Sequence, residues 1–227
     1  MNVIETHQLE KVYNPDSIPV HAINGVSLHV ETGEFTALVG PSGCGKTTLL
    51  NMIGGLDQPT SGNVTVDHQA IHEMKEAQLT DFRLKHIGFV FQSYNLVPVL
   101  TAKENVEFIM LLQDMSKKDR DERVNELMSK MGLLATLDRK PSELSGGQQQ
   151  RVAVARALAS KPKVILADEP TANLDSKSTS DLLDIMAQMN EEEQVTFVFS
   201  THDQRVIDKA KRVITLEDGK IVSDEKK

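Results

Sequence analysis

The chain has 227 residues, 39% of them hydrophobic, and a formal net charge of −8. That length accommodates one large α/β domain, or a core with a small subdomain, and the acidic balance disfavours a nucleic-acid binder relying on a broad basic surface. A single cysteine, Cys44, excludes an intrachain disulfide and a Cys₄ zinc site, and no apolar stretch approaches membrane-spanning length.

The N-terminal quarter reads as strands at Val3–Val12, Val26–Val30 and Phe35–Val39. Met1-Asn2-Val3-Ile4-Glu5 has neither the basic start nor the apolar run of a signal peptide, so the chain is expected to stay in the cytosol and meet a membrane only through a separate partner. Phe35–Val39 runs into Gly40-Pro41-Ser42-Gly43-Cys44-Gly45-Lys46-Thr47, the pattern G-x-x-x-x-G-K-T of a phosphate loop, and then into a helix over Thr48–Ile53. Glycines let backbone N–H groups turn inward around phosphate oxygens, and the helix start adds partial positive charge. Lys46 can reach the β- and γ-phosphates of a nucleotide, and the Thr47 hydroxyl can hold Mg²⁺. Gly62–Val66 and a short following strand predict a hairpin across Asp67-His68. His68 and His72 read as surface residues rather than zinc ligands. Ile87–Phe91 reads as a buried parallel strand delivering Gln92.

The composition then turns helical. Thr101-Ala102-Lys103-Glu104 is a capping box opening a helix to about Leu112. Val124, Leu127, Met128 and Met131 recur at helical spacing until Gly132. Leu144-Ser145-Gly146-Gly147-Gln148 opens a helix through Ala159, a second anion-seeking helix start. Two such starts in one chain predict a nucleotide gripped from two sides. The strand Lys163–Ala167 ends in Asp168-Glu169, where Asp168 can steady Mg²⁺; the competing reading is that the pair caps the next helix. A helix with Leu182, Ile185, Met186 and Met189 on one face follows, then the strand Val195–Ser200 and a hairpin, Arg212–Leu216 with Lys220–Val222, turning at Asp218-Gly219. Glu191-Glu192-Glu193 and the C-terminal Asp-Glu-Lys-Lys read as solvated loop charges.

A phosphate loop followed by Leu144-Ser145-Gly146-Gly147-Gln148 resembles the ATP-binding subunit of ABC transporters, and the match in motif order covers nearly the whole chain. The resemblance implies an α/β fold with a P-loop NTPase core, an antiparallel β subdomain and an inserted α-helical subdomain. Residues 1–227 then form one ABC ATPase domain, with 1–92 and 156–227 as the nucleotide-binding core and β subdomain and 93–155 as the helical subdomain. ATP and Mg²⁺ are the implied cofactors. Gly40, Pro41, Ser42, Gly43, Cys44, Gly45, Lys46, Thr47 and Thr48 of one copy sandwich ATP against Ser145, Gly146, Gly147 and Gln148 of a second copy. Tyr13 stacks on adenine. Thr47, Gln92 and Asp168 attend the metal, Glu169 polarises the attacking water, and His202 contacts the γ-phosphate and positions that water. Gln92 supplies a neutral oxygen to the metal or the water. Ala172-Asn173-Leu174-Asp175 matches the loop where two subunits meet. Cys44, beside Lys46 and a helix start, is expected to be an activated thiol open to a maleimide and shielded by ATP.

The apolar residues of Ser93–Leu100 either pack internally or, as in this family, line the groove that receives a membrane subunit's coupling helix. The runs Phe91–Val106 and Ser145–Ala153 resemble the ATPases of lipoprotein-releasing and macrolide-exporter systems. That resemblance implies a separate permease with a large extracytoplasmic domain, export or extracytoplasmic mechanical work, and a peripheral place on the inner face of the cell membrane. The rival readings are a soluble ABC ATPase such as an iron–sulfur assembly ATPase, a nucleic-acid- or ribosome-associated ABC protein, and a nucleotide-binding module without turnover. Against the second stand the acidic balance and the absence of a second cassette or long coiled-coil insertion; no nucleic-acid partner is expected. Against the third stand the intact Lys46, Asp168, Glu169 and His202.

Overall fold

The computed structural model describes residues 1–227 and divides their strands between two sheets. Alternating side chains of β1 (Asn2–Tyr13) bury Ile4, Thr6 and, past a bulge, Leu9. β1 pairs antiparallel with β2 (Val20–Glu31) on one side and β4 (Ser61–Val66) on the other. β5 (Gln69–Ala70) completes the order β2-β1-β4-β5. β2 starts at Val20 rather than Val26 because its first residues are fixed by pairing, Val20 opposite Tyr13 and His21 opposite Val12, and not by an apolar alternation visible in the sequence.

The expected hairpin turns at Asp67 and His68, with φ of 45° and 62°. Two left-handed residues in succession make a type I′ turn, a geometry that favours glycine at the second position. His68→Gly is therefore expected to stabilise the fold by about 1 kcal/mol, read as a higher urea midpoint at unchanged slope. An unchanged midpoint would mean that the His68 side chain makes a compensating contact. His72 departs from the surface reading: its side chain is 16% exposed and its Nδ1 lies 3.0 Å from the Val64 carbonyl, tying the turn after β5 back to β4.

The second sheet has the order β10-β9-β3-β8-β7-β6. β3 (Phe35–Val39), β6 (Ile87–Val90), β7 (Val164–Asp168), β8 (Thr196–Ser200) and β9 (Arg212–Glu217) are parallel, and β10 (Lys220–Lys226) closes the edge antiparallel to β9. Seven helices surround the strands: α1 (Lys46–Ile53), α2 (Glu76–His86), α3 (Ala102–Leu112), α4 (Lys117–Lys130), α5 (Gly146–Ala159), α6 (Ser176–Glu193) and α7 (Gln204–Lys209). Both faces of the sheet are buried, as a parallel sheet requires. One face, through Leu38, Val164, Leu166 and Val198, shares a core with α1, α2 and the antiparallel sheet. The other, through Phe35, Ile165, Phe197 and Phe199, shares a core with α3, α4, α5 and α6. Phe35 and Phe199 stack at 4.5 Å between centroids, tilted by 52°. α5 runs unbroken through residue 155 to Ala159, so the helix opened by the Leu144–Gln148 motif, the signature helix, carries its first turn at one end and core contacts at the other.

Two expectations about charge are corrected. Glu191–Glu193 is the last turn of α6, not a solvated loop. There Glu193 accepts from the 6%-exposed Arg123 of α4 at 2.7 and 2.9 Å, while Arg123 also donates to the Leu158 carbonyl of α5 at 2.9 Å. The C-terminal charges belong to β10, where both carboxylate oxygens of Asp224 accept from the buried Arg212 at 2.7 Å. A buried guanidinium requires such partners, because an unpaired charge away from water is costly.

Candidate functional site

The carboxyl ends of β3, β6, β7 and β8 converge, and in open parallel sheets that end is where ligands bind. A cavity of about 670 Å³ opens there, lined by Gly40–Gly43, Gly45–Thr48, Gln92, Glu169, Ala172, Ser200 and His202, with Val20, His21 and Ala22 from the start of β2. Gly45 explains the glycine of the loop. Its φ is 106°, and a Cβ would lie 2.3 Å from the Ala22 carbonyl oxygen, so a side chain would push the loop off β2.

Lys46 is 9% exposed, and its ammonium donates to the Gly40 and Pro41 carbonyls at 2.8 and 2.9 Å. No acidic residue occupies the first turn of α1. The loop therefore holds a cation and a free helix start together, which is an anion site. At the end of β7, Asp168 accepts from Thr47 Oγ1 at 3.0 and 3.1 Å and from Ser200 Oγ at 2.5 Å. These hydroxyl and carboxylate oxygens are the hard donors that Mg²⁺ prefers, and no cluster of three or more His, Cys, Asp or Glu side chains forms an all-protein cage. A site with one or two protein oxygens fits Mg²⁺ completed by water and substrate phosphate.

Glu169 follows with φ 47°, its N–H donating to the Ser200 carbonyl at 2.9 Å. That left-handed residue sets its carboxylate apart from Asp168. Glu169 Oε1 lies 2.8 Å from His202 Nδ1, and Oε2 is buried with no hydrogen-bond partner among the protein groups. An orphaned buried carboxylate oxygen fits a water or ligand proton. The His202 side chain is 74% exposed and is held by this contact rather than by packing. The Gln92 carbonyl accepts from Asn173 Nδ2 at 3.0 Å, which gives Asn173 a contact within this chain and links the loop after β6 to that after β7.

Ser145 caps α5, accepting from the Gln148 N–H at 3.3 Å, while Gln148 Oε1 accepts from the Ser145 N–H at 2.9 Å. None of Ser145, Gly146, Gly147 or Gln148 lines the cavity of its own chain. A Cβ at Gly146 would lie 2.8 Å from the Tyr94 hydroxyl, and one at Gly147 would lie 2.9 Å from Ser178 Oγ, so both glycines let those side chains approach the first turn of α5. Tyr13 also stands outside the lining. Its hydroxyl donates to Asp57 Oδ2 at 2.6 Å. Val20, His21 and Ala22 join the cavity although no motif marks them; the pairing of β1 with β2 brings them there.

Cys44 corrects the expectation of an exposed thiol. It is 5% exposed, and its side chain joins the apolar core beneath the loop. In the native protein the thiol is expected to react with a maleimide at least about 100-fold more slowly than after unfolding, with or without ATP, because opening costs free energy. Fast stoichiometric labelling of folded protein would contradict this placement.

Beside the cavity, Arg156 of α5 donates to the Asn95 and Tyr94 carbonyls at 2.5 and 2.9 Å, holding two residues with φ of 50° and 61°. The segment after Gln92 is thereby fixed to the signature helix. Between it, β6 and α3 lies an apolar groove of about 310 Å³, lined by Phe89, Phe91, Val97, Phe108 and Ile109 among others. Leu96 packs against the core, whereas Val99 is 71% exposed.

A family profile described as ABC transporter matches residues 23–172. The macrolide export ATP-binding/permease protein MacB of Hyphomonas neptunium is 46% identical over 98% of this chain, which spans 34% of that relative's length. The lipoprotein-releasing system ATP-binding protein LolD of Legionella pneumophila is 40% identical over 98% of both chains. Among solved structures, a dimeric post-hydrolysis state of the ATP-binding cassette MJ0796 bound to ADP and Pi superposes with a TM-score of 0.91, at 42% identity over 98% of both chains.

Proposed function

The chain belongs to the ABC transporter ATP-binding family, and on that premise we propose that it binds and hydrolyses ATP to power a separate membrane permease. The observation that carries this reading is the convergence of Lys46, Thr47, Glu169 and His202 on one cavity at the carboxyl end of the parallel strands, with Asp168 just behind its wall, accepting from Thr47 and Ser200. Lys46 and the loop N–H groups hold the β- and γ-phosphates. Thr47, Asp168 and Gln92 would hold Mg²⁺, which neutralises phosphate charge. Glu169 orients and polarises water through its unpartnered oxygen, and His202, bonded to the same carboxylate, contacts the γ-phosphate. Catalysis of this kind rests on positioning and charge stabilisation, and each of these side chains supplies one or the other.

Two copies arranged head-to-tail place Ser145–Gln148 of one against the phosphate loop of the other, making two equivalent sites. Support comes from the α5 start, which has no acidic first-turn residue and no cavity of its own to serve. The γ-phosphate bridges the copies, and its loss lets them part. Residues 93–155 act as the subdomain that carries the signature, and 1–92 with 156–227 as the nucleotide-binding core and β subdomain. No helix is long and apolar enough to cross a membrane. By the likeness to ATP-binding components such as LolD, the proposed place is peripheral at the cytoplasmic face, for export or extracytoplasmic work through a permease with a large extracytoplasmic domain.

The apolar groove supports the transporter reading over a soluble ATPase, because exposed apolar surface of this kind marks an interaction site. Val99→Glu is expected to reduce recovery of the genetically adjacent permease in detergent pull-down by at least about tenfold, since a carboxylate would have to be desolvated in the contact. ATP affinity of the free subunit should stay the same. Val99 stands beside the groove rather than in its lining, so unimpaired assembly and stimulated ATPase in the variant would remove the exposed segment Ser93–Leu100 as the contact surface. Val99 is the cleaner probe, as Leu96→Glu would also damage the core.

A further inference from the structure

We propose that Asp57 and Lys11 form a clamp that positions the Tyr13 ring for the nucleotide base; this rests on Tyr13 being the stacking residue. Lys11 and Tyr13 stand two apart near the end of β1, and a register shift in its pairing with β2 falls between Lys11 and Val12. The Lys11 ammonium lies 4.9 Å from the Tyr13 ring centroid. It donates to Asp57 Oδ1 at 2.5 Å and to the Gln58 carbonyl at 2.7 Å. The other Asp57 oxygen accepts from the Tyr13 hydroxyl at 2.6 Å. The carboxylate thus grips the ring at its hydroxyl and fixes the cation above it.

The geometry has two consequences. With Lys11 on one ring face, a purine has the other, and a cation on the far face of a ring is held by the same quadrupole that orients stacking partners. The clamp also joins the base to the phosphates. Asp57 follows α1, where the Leu56 and Asp57 N–H groups both donate to the Asn51 carbonyl, and the start of α1 carries Lys46 and Thr47. Thr48, next along α1, lines the cavity and neighbours the Tyr13 hydroxyl. A phenol is protonated at neutral pH and can donate here; burial, then the hydrogen bond to Asp57, raises the Tyr13 pKa further. Tyr13 itself is 37% exposed, so its ring direction depends on these contacts more than on packing.

The test separates base from phosphate. Affinities for Mg-ATP and for magnesium tripolyphosphate, which lacks a base, are measured by calorimetry for Asp57→Ala, Asp57→Asn, Tyr13→Phe, Tyr13→Ala and Asp57→Ala/Tyr13→Phe. We expect Asp57→Ala and Tyr13→Phe to weaken ATP by similar factors of about three to ten, a part of what base stacking provides. The double variant should be no weaker than either alone, tripolyphosphate affinity should be unchanged, and Asp57→Asn, which keeps an acceptor, should recover part of the loss. Equal weakening of ATP and tripolyphosphate by Asp57→Ala, or additive losses in the double variant, would overturn the clamp. If Tyr13→Ala weakens ATP selectively while Asp57→Ala and Tyr13→Phe do not, the clamp fails and stacking stands. If Tyr13→Ala spares ATP, the stacking reading fails, and the clamp with it.

Discussion

Glu169→Gln is expected to lower ATP turnover by about 10³-fold, the scale of a positioned proton-transfer group, while ATP binding persists. Glutamine keeps the size of the side chain and an oxygen to accept from His202, but it loses the negative charge. The wild-type carboxylate is held by the left-handed turn after Asp168, by the Glu169 N–H to Ser200, and by the 2.8 Å contact with His202. None of these needs the charge. The buried, unpartnered Oε2 is where the charge acts. Lys46 and the phosphate loop are untouched, so ATP affinity should change by less than about threefold. Steady-state phosphate release and equilibrium nucleotide binding check the two halves separately. Near-wild-type turnover would take Glu169 out of its assigned role.

Arg123→Met should destabilise the fold by about 2–4 kcal/mol, somewhat below the range for breaking a fully buried pair because Glu193 is partly exposed and Lys130 is a second cation near it. Methionine replaces the stem but strands the Glu193 carboxylate, which Arg123 now satisfies with two hydrogen bonds, whereas the Leu158 carbonyl keeps the Lys161 N–H at 3.1 Å. The three helices that meet at this guanidinium, α4, α5 and α6, lose their common anchor. Urea denaturation reads the change. The double variant Arg123→Met/Glu193→Leu should recover much of the loss, since it removes the stranded charge. A loss under about 0.5 kcal/mol, the usual range of a surface change, would mean that the pair contributes little. The same logic places Arg212, with Asp224 and Glu34, as the tie between β9, β10 and β3's entry.

The chemistry of this chain was more legible in its sequence than its charge pairing. Lys46, Thr47, Asp168, Glu169 and His202 sit in local motifs at strand ends, and a strand that is apolar and parallel delivers its last residues to one edge of the sheet. The capping box at Thr101 and the serine-glycine start at Ser145 likewise mark their helices, and both helices are there. Helix α2 escaped because only Leu79 and Phe82 of its eleven residues are buried, too few to make a helical period. Glu193 looked like a surface charge because its partner lies far away in sequence, Arg123 and Glu193 being 70 residues apart; Asp224 is only 12 residues from Arg212, but the expected hairpin strand ended at Val222, short of it. Cys44 misled for a related reason. The loop motif fixes the backbone around the phosphates but not the side of the loop on which a thiol falls, and here that side is the core. Val20–Ala22 reach the nucleotide cavity through strand pairing, which no single segment announces.

We propose that ATP is bound between two copies, by the phosphate loop of one and the α5 start of the other. Sedimentation equilibrium of Glu169→Gln tests it most directly, with Mg-ATP or Mg-ADP and with or without Ser145→Arg. Ser145 lies outside the cavity of its own chain, so a bulky cation there should leave ATP binding by the monomer intact. The predicted result is a dimer for Glu169→Gln in Mg-ATP, a monomer in Mg-ADP, and an ATP-bound monomer once Ser145→Arg is added. A monomer for Glu169→Gln in saturating Mg-ATP, or a dimer that survives Ser145→Arg, would contradict the composite site.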